Sequence, residues 1–189
     1  SSEKEILFWD IGSNIGLYSI YAATIHKNIK VIAFEPSTLN LNALSKNIFL
    51  NKLEDKIMVA QFALTDHPNK FLKMRETSIL EGGALSAYGV DYDDYGKEIK
   101  NSFDYKIYGT TVDYLIDQKI LKIPHYIKID VDGIEHLILE GANAMLSSKS
   151  IKGILVELNE DFLEQYEFVC NSLLSKGFKL KVKTRSKMV

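Results

Sequence analysis

Short apolar runs alternate with longer segments of helical apolar spacing along most of this chain. Ile6 to Ile11 is apolar apart from Asp10, too short for a helix and suited to a strand buried on both faces. Gly12 and Gly16 follow. Ser13 and Asn14, between them, are N-cap types for a helix through Ile15, Leu17, Tyr18, Ile20, Tyr21, Ala22 and Ile25. Residues 29–34 predict a second buried strand that Glu35-Pro36 ends, and Ser37-Thr38 opens an amphipathic helix reaching Leu50. A third strand is expected over 56–64, with later strands over 103–108, 126–131, 151–158 and 178–182. Helices are expected over 110–117, starting like a capping box, and over 134–146 and 162–174. This alternation predicts an α/β fold with a mostly parallel central sheet and helices on both faces.

Residues 67–109 break the pattern. A short edge strand is expected over 71–74, a flexible break at Gly82-Gly83, and a loop rich in tyrosine and aspartate over 88–96. Such an insertion is a poor core element, and 81–97 reads as a mobile lid. Its aromatic and acidic side chains, Tyr88 and Tyr92 among them, suit sugar or polyol hydroxyls. Asp91, Asp93 and Asp94 lack the bidentate glutamate of a calcium loop.

With 189 residues, a single domain is expected. A net charge of −2 gives no general pull toward nucleic acid or an acidic membrane surface. No apolar stretch is long enough for a membrane span. Cys170, the single cysteine, sits in a helical pattern as a small hydrophobe, which is compatible with a reducing compartment; a cytoplasmic location is expected. The abrupt start on a strand fits a fragment of a longer polypeptide.

The candidate chemistry sits at predicted strand ends, where open α/β sheets bind ligands. In Asp10-Ile-Gly12-Ser13-Asn14-Ile-Gly16 the glycines let the backbone turn tightly and approach a ligand. A dinucleotide site sets pyrophosphate against such a turn. Asp10 would repel phosphate and welcome a cationic group, and S-adenosylmethionine carries an ammonium and a sulfonium with no phosphate. Glu35 lies 23 residues past Gly12, placed to accept hydrogen bonds from ribose hydroxyls, with Pro36 beside it. Adenine could lie along Ala63 and Leu64. Asp130, Asp132 and Glu157 face the same crevice from later strands. Two rivals stand beside the S-adenosylmethionine reading: an NAD-dependent oxidoreductase or epimerase, disfavoured by Asp10 and by a missing third glycine, and a non-catalytic cofactor-binding module.

Asp10 to Gly16, Phe34-Glu35-Pro36, Thr111-Val-Asp-Tyr-Leu115, Lys128-Ile-Asp-Val-Asp-Gly-Ile-Glu135 and Val156-Glu157 together resemble the FkbM family of S-adenosylmethionine-dependent methyltransferases. The resemblance implies a Rossmann-like class I methyltransferase fold and O-methylation of a hydroxyl on a sugar, glycan or polyketide-like small molecule. It implies cofactor roles for Asp10, Gly12, Asn14, Gly16 and Glu35, and a substrate-side role for the 128–135 segment, Asp132 and Glu135 included. Two departures stand out. Asp132 replaces the family's usual glutamate, and the final antiparallel strand is not evident in 184–189. For the methyl transfer, Asp130 is the first candidate base, Glu157 the second and Lys128 an electrostatic partner. Alternatively Asp130, Asp132 and Glu157 hold Mg²⁺. Cysteine-histidine spacing for zinc is absent.

Overall fold

A computed structural model describes residues 4–83 and 86–185. In chain order, β1 (Ile6–Ile11), α1 (Leu17–Ile25), β2 (Ile29–Phe34), α2 (Thr38–Leu50) and β3 (Ile57–Ala60) are followed by β4 (Ala63–Leu64), β5 (Lys70–Glu76), β6 (Ala87–Tyr88) and β7 (Phe103–Thr110). Then come α3 (Val112–Asp117), β8 (Tyr126–Ile129), α4 (Glu135–Glu140), a 3-10 turn (Met145–Ser147), β9 (Gly153–Val156) and α5 (Leu163–Ser175). The central sheet has the order β3-β2-β1-β8-β9, and every pair is parallel. The chain winds from β1 out to β3 and returns on the other side of β1 as β8. Strand order therefore reverses between β1 and β8, and a crevice opens at their carboxyl ends.

Burial on both faces explains the near-continuous apolar runs. Along β2, Val31 and Ala33 pack with Leu44 and Ile48 of α2, whereas Ile32 and Phe34 join the larger core with Trp9, Ile129 and Ile138 on the other face. The Trp9 and Phe34 ring centroids lie 5.1 Å apart.

Several boundaries differ from the sequence pattern, each for a tertiary reason. The strand expected over 56–64 is two strands in two sheets. β3 ends at Ala60, Phe62 sets its ring edge-on to Phe34, and Ala63-Leu64 pair instead with Gly109-Thr110 of β7. Residues 67–109 are not a poor core element. β5 and β7 pair along the whole of β5 in a second sheet of order β4-β7-β5-β6, and Met74 and Tyr88 are buried in the main core. Helix α1 begins at Leu17, with Gly16 in the left-handed region at its N-cap and no side-chain cap from Ser13 or Asn14. Ser37 and Thr111 do cap their helices, accepting from the Asn40 and Tyr114 amides. Asp113 forms no capping box; its carboxylate accepts from the amides of Ala144 and Met145. A Cβ on Gly141 would overlap the Thr65 carbonyl. The helix expected over 134–146 stops at Glu140, and the Gly141 carbonyl accepts from the Asp113 amide instead of continuing the helical ladder. Residues 178–182 form no strand: Phe178 packs on the core, but Leu180 and Val182 are 76% and 68% exposed. Among the described residues no helix is long and apolar enough to cross a membrane.

Candidate active site

A cleft of about 260 Å³ lies at the carboxyl ends of β1, β2, β8 and β9, close to the lower end of the range of roughly 300–1,000 Å³ usual for small-molecule sites. The turn after β1 makes one wall. Gly12 has φ +78, and a Cβ there would overlap the Asp130 carbonyl, so the exits of β1 and β8 meet through this glycine. Asn14, also left-handed at φ 51, donates its amide to Glu35 Oε2 at 2.7 Å, and the Ser37 amide donates to Oε1 at 2.8 Å. Glu35 is thus held between the β1 turn and the start of α2 and is 4% exposed. Burial outweighs its donors and pushes the carboxyl up to about 7. Pro36, Ala63 and Leu64 continue this wall.

Asp130, Asp132 and Glu157 line the other end. Lys128 Nζ stands 2.9 Å from Asp130 Oδ2, and Asp132 Oδ2 accepts from the Ser86 amide at 3.3 Å. Partial burial raises the Glu157 carboxyl, and the negative charge of the neighbouring Asp130 raises it further. Among the described residues the cleft is lined by these acids and Glu35 and by no lysine, arginine or histidine.

Other residues expected at the site stand behind it. Asp10 is fully buried and faces α1, where Ser19 Oγ donates to its Oδ2 at 2.6 Å; Lys128 Nζ lies 3.6 Å from its Oδ1. Asp10 and Lys128 are register partners on β1 and β8, so both side chains leave the sheet on the α1 face. Neither lines the cleft, and Asp10 is not placed to meet a cationic ligand group directly. Lys128 bridges Asp10 to Asp130, with the Tyr18 ring 4.6 Å from its Nζ. Ser13 donates its hydroxyl to the Phe34 carbonyl, and Gly16 packs against Leu44, so both shape the turn without lining the cleft.

The tyrosines expected on the acceptor side are anchored. Tyr88 lines the cleft but is 2% exposed and donates its hydroxyl to the Lys70 carbonyl, so it is wall rather than a free stacking ring. Tyr92 turns toward α4 and α5, reaching His136 Nε2 at 3.4 Å and packing edge-on to Phe162. The 91–97 part of the expected lid is fastened there; positions 84 and 85 lie outside the described residues. Glu135 is 3% exposed beneath the α4 N-terminus, away from the cleft lining. The three acids expected to hold Mg²⁺ do not fit an ion: among the described residues no three His, Cys, Asp or Glu side chains gather as a metal-holding set, and the cation beside Asp130 is Lys128.

This constellation, a glycine turn, a carboxylate on β2 and paired acids after β8 and β9, lies within a stretch that matches the methyltransferase FkbM domain over residues 10–180. The chain belongs to the FkbM methyltransferase family. It is similar to methyltransferase sdnD of Sordaria araneosa, 27% identical in an alignment 154 positions long that covers 71% of this chain and 59% of that protein. The crystal structure of methyltransferase FkbM from Methylobacillus flagellatus KT shares the fold at 18% identity and a TM-score of 0.62, over 90% of this chain and 37% of that one. The precorrin-6y C5,15-methyltransferase from Geobacter metallireducens GS-15 does so at 15% identity and a TM-score of 0.55, over 96% and 68%. The FkbM-family chain therefore spans only part of the length of these relatives.

The pattern in the sequence missed some of the FkbM-family cleft. Asn40 lines it, accepting from the Gly82 amide at 2.9 Å and donating to the Gly83 carbonyl at 3.4 Å. Its place three residues after the Ser37 cap was the available signal. Met74, from the second sheet, carries none.

Proposed function

We propose that this chain binds S-adenosylmethionine in the cleft and transfers its methyl group to a hydroxyl of a sugar, glycan or polyketide-like small molecule. The observation that carries this reading is the lining itself: among the described residues it presents the carboxyl groups of Glu35, Asp130, Asp132 and Glu157 and no cationic side chain, Lys128 meeting Asp130 from behind the wall. Such a wall repels the pyrophosphate of a dinucleotide and suits a phosphate-free cofactor bearing an ammonium and a sulfonium. Glu35 would hold the ribose hydroxyls, the Gly12 to Asn14 backbone the amino-acid end, and the Ala63-Leu64 edge the adenine. The cofactor supplies a methyl group on a sulfonium, a leaving group that needs no activation.

The protein then has to align the acceptor and take its proton. Alignment alone offers effective molarities of about 10⁵–10⁸ M. Asp130 and Glu157 act as a carboxyl pair at the acceptor end, and the proton passes to Glu157, whose affinity for it is raised by partial burial and by Asp130. Lys128 holds Asp130 in place from behind. Isothermal titration tests the assignment: S-adenosylhomocysteine should bind and NAD should not. Binding of NAD alone would move the chain to the oxidoreductase reading.

A further inference from the structure

Gln165 had no role in the sequence pattern, yet it is 2% exposed in the first turn of α5, with its amide turned into the protein. Its Nε2 donates to Glu135 Oε2 at 2.9 Å and stands 3.3 Å from His136 Nδ1. An amide nitrogen only donates, so Nδ1 accepts and the neutral imidazole carries its proton on Nε2. That nitrogen faces the Tyr92 hydroxyl at 3.4 Å. At the other end, Glu135 Oε1 accepts from the Val131 amide at 3.2 Å. One chain of hydrogen bonds therefore runs from Val131, between the cleft acids Asp130 and Asp132, through Glu135, Gln165 and His136 to Tyr92. The two ends also touch directly: a Cβ on Gly133 would press on Asp93 and Asp94.

We propose that Gln165 is a positioning residue for the acceptor end of the site, joining the 130–133 loop and the 91–97 loop into one unit without touching either cofactor or acceptor. This rests on the reading of the cleft given above. The donor count explains why glutamine is needed. An ionised Glu135 can only accept and His136 accepts at Nδ1, so the residue between them must offer two N–H bonds in different directions. The charged groups facing this chain are the acids Asp66, Asp91, Asp132 and Glu140. None of them can replace the amide as a donor while ionised.

Hydrogen exchange of the S-adenosylhomocysteine-loaded protein tests the proposal. In Gln165→Leu, protection of 130–133 and 91–97 should fall together by about tenfold or more, while the 6–16 segment and the ligand affinity stay unchanged within about twofold. Gln165→Glu supplies a readout that simple packing would not move. At pH 8 two carboxylates oppose each other and both loops should open, whereas at pH 5.5 a shared proton restores the bond and wild-type protection. The proposal is overturned if the two loops keep wild-type protection in Gln165→Leu, if protection is lost evenly across the fold, or if Gln165→Glu behaves alike at both pH values. Failure of S-adenosylhomocysteine to bind would sink the cofactor reading instead, and exchange of the free protein would still decide the role of Gln165.

Discussion

Replacing Glu35 by glutamine separates the energetic and functional consequences of a buried carboxylate at the cleft. The side chain is 4% exposed, and burial lifts it from the ordinary 4.5 to about 7. Because the folded-state value lies above the unfolded one, its contribution to stability is fully present below about pH 4.5 and is lost as the pH rises through 7. The shift is worth about 3 kcal/mol in all, of which about 2–3 kcal/mol disappears between pH 5 and pH 8. For a chain of this size that is about 5–10 °C in Tm. Glu35→Gln lacks this loss, although its amide leaves one of the Asn14 and Ser37 N–H groups unmet and costs about 1–3 kcal/mol at every pH. Glu135, also raised to about 7, is present in both proteins and cancels in the comparison. Thermal unfolding without ligand should therefore show the unaltered chain losing about 5–10 °C more than the variant from pH 5 to pH 8. A ribose that donates to the ionised carboxylate should also bind about tenfold more weakly at pH 6 than at pH 8. Parallel Tm profiles, or a flat S-adenosylhomocysteine affinity across that range, would refute the reasoning.

Lys128→Met should cost about 3–5 kcal/mol in urea unfolding at pH 8, because Asp10 stays buried with no cation. The loss should shrink at low pH as Asp10, already raised by burial, takes up a proton; a loss below about 1 kcal/mol at pH 8 contradicts the clamp. Glu157→Gln should bind S-adenosylhomocysteine normally but turn over about 10²-fold more slowly once an acceptor is found, and a chelator should leave the rate unchanged. Near-normal turnover would leave alignment as the whole of the catalysis, and chelator-sensitive turnover would restore the metal.

The strand-turn-helix at the start of the chain, Glu35 at the tip of β2 and the acids after β8 and β9 were legible without coordinates. Their apolar runs are short and continuous because parallel strands are buried on both faces, and parallel strands present their carboxyl ends to one crevice. Local pattern could not tell which side chains turn into that crevice. Asp10 looked like a ligand for a cation, yet the register with Lys128 sends it behind the sheet to Ser19. Tyr88 and Tyr92 looked like lid residues because the strands around them alternate only weakly, and their partners, Lys70 for one and His136 for the other, are 18 and 44 residues away. The break between β3 and β4, the early stop of α4 at Gly141 and the role of Gln165 share one cause. Each depends on a group brought close by the fold, the β7 backbone, the Asp113 amide and the Glu135 carboxylate, and such contacts leave no period in the sequence for a pattern to reveal.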